Sequence, residues 1–220
     1  MRLTEGLEPV RPVHRFQHQT LAVAATFAAS AAVVAGWLGL HPLDVFARSA
    51  ISATLVGVLA LMGVAGIALA LASRIPGHER LALAATTGIG VGGAVVAALA
   101  LLHAGSGAEP GAIAHTLAEG VQCAERSLLL AIPSGVLGLA LARRGAPWRS
   151  CATGVGLAAG AVSLGALLVH LSCPSPSPWH WLCAHALLPW VAGVPIGLLS
   201  AWLLAALDRR SLATSGGLAA

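Results

Sequence analysis

Ser49–Ala72 reads SAISATLVGVLALMGVAGIALALA. It carries no charge and no proline, and its only hydroxyl side chains are Ser49, Ser52 and Thr54. About 20 such residues, rising about 1.5 Å each, cross the hydrocarbon of a bilayer as one helix. Lipid offers no partner to backbone N–H and C=O groups, so at this length a helix is the conformation that satisfies them.

Five further runs of the same kind flank it: Thr20–Leu40, Leu81–His103, Val121–Ala142, Cys151–Leu171 and His185–Leu207. They stop at His41-Pro42, at Arg74 to Pro76, at Arg143-Arg144-Gly145 and at Asp208-Arg209-Arg210. The whole chain is 57% hydrophobic and only 9% charged, against about 25% charged in soluble domains. The reading is an all-α integral membrane protein with six transmembrane helices. A short N-terminal segment (1–19) precedes a six-helix domain (20–207) and a tail (208–220). The first run is too long for a cleaved signal peptide and lacks a small-residue cleavage site near its end.

Orientation follows from arginine, since the chain has no lysine. With the N-terminus in the cytoplasm, ten of the twelve basic residues face inward, and only Arg48 and Arg126 face outward. The positive-inside rule therefore puts both termini in the cytoplasm. The outer loops are then 41–48, 104–120 and 172–184. The same rule accounts for a pI near 9.5 without nucleic acid, because the arginines are scattered and form no base-reading helix.

Gly88-x-x-x-Gly92 and Gly156-x-x-x-Gly160 fit the small-residue spacing of closely packed membrane helices, a spacing that a Gly/Ala-rich chain also produces by chance. Pro133 is expected to kink the fourth helix, and Pro189 and Pro195 the sixth.

Reactive side chains gather on the outer side. His41, His103, His115, Glu119, Cys123, Glu125 and Arg126 map there, and so does the stretch HLSCPSPSPWHWLCAHALLPW, His170–Trp190. Cys151 is the one cysteine on the inner side. Three readings compete. Trp179, Trp181 and Trp190 fit an interfacial aromatic belt that also tolerates histidine. His170, Cys173, His180, Cys183 and His185, with Cys123 or Glu119 nearby, offer the thiolate and imidazole ligands that zinc or copper prefers, although the spacing matches no standard finger. Thiol chemistry is the third: Cys123 opens the fourth helix and Cys173 follows the fifth, so the two can meet on one side, and Cys183 is near in sequence.

No Asp, Glu, Lys or Arg lies near a span centre, where pumps and channels place them. HExxH, GxSxG and P-loop patterns are absent. An alternative function is a membrane thiol or metal redox enzyme at the periplasmic face, resembling a quinone-linked disulfide oxidoreductase. Cys173 and Cys183 could serve it, but there is no CxxC.

The order of features resembles the bacterial membrane anti-sigma proteins named for negative regulation of sigma F, the NrsF-like family. Leu7-Glu8-Pro9-Val10-Arg11-Pro12 is similar to the family's lead-in before its first helix. Cys123 opens helix four, with Pro133 further along it. Arg143-Arg144-Gly145-Ala146-Pro147 is similar to the basic inner loop, and the Gly/Ala-rich Gly154–Gly165 follows. His170-Leu171-Ser172-Cys173-Pro174 is similar to the family's His-x-x-Cys-Pro ending of helix five. The resemblance covers nearly the whole chain and is strongest from Val121 onward. Cys183, His180 and His185 depart from the minimal pattern, and the cytoplasmic lead Met1–Gln19 is short.

The resemblance implies a non-enzymatic regulator in the bacterial inner (cytoplasmic) membrane. Its partners are an extracytoplasmic-function sigma factor and membrane lipid, with no direct nucleic acid. It would release the sigma factor on an envelope, redox, metal or light signal, and Cys123 and Cys173 fall on the family's sensing cysteines. Expected sigma contacts are Leu7, Pro9, Arg11, Arg15 and Phe16, with Arg143 and Arg144 of the basic loop. Met1–Gln19 is far below the roughly 50 residues of an independent domain, so it would fold on the partner or lean on the inner loops.

Overall fold

The computed structural model describes residues 16–37, 39, 49–75, 77–104, 110–143, 150–175 and 177–216, with side chains at 16, 110–117, 143, 150 and 207–216 outside the description. Among the described residues, six helices are long and apolar enough to cross a membrane. They belong to α1 (Phe16–Trp37), α2 (Ala50–Ala72), α3 (Glu79–Ala104), α4 (Pro110–Arg143), α5 (Ser150–Ser172) and α6 (Leu188–Gly216), the sixth span running Pro178–Ala206 and so taking in the residues just before α6. A single α-turn, Pro178–His180, and a π-helical stretch, Trp181–Leu187, lead directly into α6.

Two helix starts have a clear chemical cause. The Ser49 hydroxyl accepts the backbone N–H of Ser52 at 3.4 Å, satisfying one of the open donors of α2. Ser177 does the same for His180, and Pro178 takes the first helical position, where its missing N–H costs nothing.

α5 is the axis of the bundle. Some 89% of its spanning window is buried, against 67% for α2, 17% for α3 and 11% for α1. It packs against α2, α4 and α6. Its small side chains allow this: a Cβ placed on Gly66 of α2 would lie 2.6 Å from both Gly156 O and Gly160 Cα of α5. Inside lipid, where no hydrophobic drive separates helix from tail, such backbone proximity gives dispersion contacts that lipid cannot match. The Gly156/Gly160 pair thus lies in a real interface. Gly92 likewise faces Met62, and Gly88 faces Ala65, where α3 meets α2. Pro133 and Pro195 are accommodated inside α4 and α6.

Several boundaries differ from the sequence reading. α1 begins four residues before Thr20 and ends at Trp37. α4 begins at Pro110, inside the expected loop 104–120. The largest change is in the expected loop 172–184, where helix resumes at Pro178. The Pro-Ser repeat before it reads as loop, but a serine cap followed by proline is also a helix start, and the latter prevails. His180, Cys183 and His185 are therefore helical residues.

Candidate functional site

The C-terminal ends of α3 and α5, the N-terminal end of α2 and the Gly120–Cys123 part of α4 meet the π-helical stretch at one end of the bundle. His103 at the end of α3 stands edge-on to Trp179, ring centroids 5.2 Å apart. Cys123 lies more than three and a half turns into α4, Cys173 is the first residue beyond α5, and His180 and His185 come from the turn and the π-helix.

Four of these side chains converge. One ligand atom each from Cys123, Cys173, His180 and His185 lies within 4.8 Å of all the others. His180 Nε2 is 3.4 Å from the Cys123 Sγ and 3.4 Å from the Cys173 Sγ. The two histidines are buried and the two cysteines half-buried. All four cysteines of the chain are thiols.

The π-helix makes this pairing. In an α-helix, 3.6 residues per turn turns side chains five apart to about 140° from each other. Here the backbone N–H of Leu188 bonds Cys183 O, an i→i+5 bond. The wider turn brings residues five apart back toward one face. The His180 and His185 rings, five residues apart, sit with centroids 5.2 Å apart.

Behind the four lies a hydrogen-bonded chain. His185 Nδ1 meets His170 Nδ1 at 2.9 Å, and His170 Nε2 meets the Ser52 hydroxyl at 2.9 Å. All three residues are almost wholly buried, with Ser52 at 1% exposure and both histidines at 0%. One ring nitrogen of His170 therefore holds α2 and the other holds the π-helix. Trp181 stands edge-on over His170 at 5.6 Å, fixed by its own Nε1 donating to Ser175 O at 2.7 Å. Trp179 and Trp181, assigned by sequence to a belt, thus also stand against His103 and His170.

The Cys173 thiol is held well below its usual titration range. The first cause is a hydrogen bond with the Cys123 thiol. Burial opposes it, and the nearby His185 ring and the Ser175 backbone add to it. A thiolate here is the form that binds metal and the form that attacks a disulfide.

The sequence candidates are thus placed as follows. Cys123, Cys173, His180 and His185 come together. His170 touches His185 rather than the sulfurs. Cys183 is buried and stands outside the group. Cys151 is exposed at the far end of α5. Glu119 and Glu125 are exposed and also outside the group. Ser52 is the member that sequence reasoning missed, because nothing near it in sequence marks it. The sigma-contact candidates Leu7, Pro9, Arg11, Arg15 and Arg144 lie outside the described residues, as do the side chains of Phe16 and Arg143. His41 lies outside them too, and so does the side chain of His115.

Chemically, two thiols and two imidazoles at these distances could hold a metal ion, and the two thiols could be joined by oxidation. A family model described as negative regulator of sigma F matches residues 3–209. No curated protein and no solved structure matches the chain.

Proposed function

Because the chain belongs to this family of negative regulators of sigma F, we propose that it is a multi-pass inner-membrane anti-sigma factor that sequesters an extracytoplasmic-function sigma factor. The observation that carries this reading is the extent of the match, which runs from the N-terminal lead through all six helices. Both termini face the cytoplasm in this reading, which the arginine distribution supports. The sigma factor is held by Leu7, Pro9, Arg11, Arg15 and Phe16, together with Arg143 and Arg144. The chain catalyses no reaction.

The input is the cysteine–histidine cluster on the periplasmic side. Zinc or copper binding there, or oxidation of the thiols, changes how the ends of α4, α5 and the π-helix are joined. An input of this kind shifts the equilibrium only by its preference for one of two states. The cluster supports the reading because it ties three elements that continue to the opposite end of the bundle.

The test is co-purification. The tagged chain is solubilised gently from its host, beside a version lacking residues 1–19. A sigma factor with the first and not the second supports the reading and places the contact in the N-terminal segment. A sigma factor with both moves the contact to the inner loops. No sigma factor with either refutes the reading.

A further inference from the structure

We propose that Cys123, Cys173, His180 and His185 bind one thiophilic divalent cation, with zinc the natural fit, and that His170, braced by Ser52, positions the His185 ring without being a ligand. The proposal rests on the cluster's role as the input and names what it binds.

Geometry comes first. Four ligands around zinc at about 2.0–2.3 Å stand roughly 3.3–3.8 Å from one another. His180 Nε2 is already 3.4 Å from each sulfur, and all four atoms fall within 4.8 Å. Closing the remainder needs shifts of well under an ångström per side chain. No fifth donor of the group is present among the described residues, so the site is closed, as structural and sensory zinc sites are.

Charge comes second. Two thiolates and two neutral imidazoles around a divalent cation sum to zero. A neutral unit is tolerated in a half-buried site at a membrane edge, where two bare thiolates would repel each other.

His185 is also held from behind by a hydrogen-bonded neighbour. A metal-bound histidine typically donates its other ring N–H to an acceptor that fixes its tautomer and orientation. His185 Nδ1 has such a partner in His170 Nδ1, and this leaves His185 Nε2 for the cation. That Nε2 is buried and has no hydrogen-bond partner in the protein. One set of protons satisfies the whole chain: His185 Nδ1–H donates to His170 Nδ1, and His170 Nε2–H donates to the Ser52 oxygen. His170 thus spends both nitrogens on positioning. Cys183 and His170, though close in sequence to the ligands, are not among them.

The experiment uses the full-length protein in nanodiscs, reduced and stripped of metal, titrated with Co²⁺ as the spectroscopic probe. One Co²⁺ per chain is expected, with thiolate-to-cobalt charge transfer and the intense visible bands of a tetrahedral site. Cys183→Ser should leave the spectrum unchanged. His170→Ala should keep the tetrahedral bands but weaken affinity about 10–100-fold, and His170→Asn, which can again offer an acceptor, should recover part of the loss. X-ray absorption of the zinc-loaded wild type needs no variant and should return two sulfurs and two nitrogens. No cobalt bands in the wild type, or a different sulfur count, overturns the cation site. Bands with unchanged affinity in His170→Ala overturn the positioning role. Sigma-factor retention, read separately on the same preparation, tells failure of this proposal from failure of the regulator reading.

Discussion

His170 Nδ1 and His185 Nδ1 lie 2.9 Å apart across the junction of α5 and the π-helix. This contact makes the two ligand histidines unequal. His185 is held from behind by His170 and Ser52, whereas His180 has a buried Nδ1 with no hydrogen-bond partner in the protein.

The inequality predicts which ligand lets go first. His180→Ala should cost less cobalt or zinc affinity than His185→Ala, by roughly the 10–100-fold that a hydrogen-bonding partner behind a ligand histidine contributes. Competition with a chelator of known affinity ranks the two. The reverse order would mean that the brace does not act through the metal ligand.

Oxidation should join one specific pair. Cys123 and Cys173 sulfurs are within 4.8 Å, and Cys183 is outside the group. Treating metal-stripped protein with diamide should give a Cys123–Cys173 disulfide, the two thiols passing two electrons and two protons to the reagent. Bound zinc should slow the reaction. Mass spectrometry after alkylation reads the pairing, and a dominant Cys173–Cys183 link would contradict the geometry.

Topology can be read from the cysteines themselves. Cys151 and Cys173 lie at opposite ends of α5. In intact cells with a permeable outer membrane, a membrane-impermeant maleimide should label Cys173 once zinc is chelated. Cys151 should react only after the inner membrane is opened. Labelling of Cys151 first would reverse the orientation inferred from arginine.

The α2–α5 contact should tolerate no added methyl group. Gly66→Ala is expected to destabilise the bundle by about 1–3 kcal/mol, because the obstruction is backbone that no rotamer change relieves. That corresponds to roughly 2–4 °C in Tm per kcal/mol for a chain of this size. Gly90→Ala, with nothing within 4 Å of its added Cβ, is the control and should leave Tm unchanged or raised. Equal effects would show that the tight contact is not what holds the two helices.

Ser49–Ala72 alone reads as a helix long and apolar enough to cross a membrane, and the other five runs repeat the argument, so these six helices needed no tertiary information. Period and length are local properties, and the cost of an unpaired backbone group in lipid leaves no other solution. The arrest at Arg143-Arg144 and the Cys-Pro after α5 were legible for the same reason. The choice of four side chains among the many reactive ones at that end was not. Helix polarity already allowed Cys123 and Cys173 to meet, but that Cys183, nearer in sequence to Cys173, stands outside the group depends on the packing of α4 beside the π-helix. Ser52 and His170 meet across 118 positions because glycines let α2 and α5 touch. His180 and His185 share a face because the backbone winds as a π-helix there, a wider turn that no residue pattern announces. Sequence determined the six membrane-length helices seen among the described residues, since that is settled one segment at a time. Packing decided which side chains meet, since that depends on the rotation and contact distance of each helix against its neighbours.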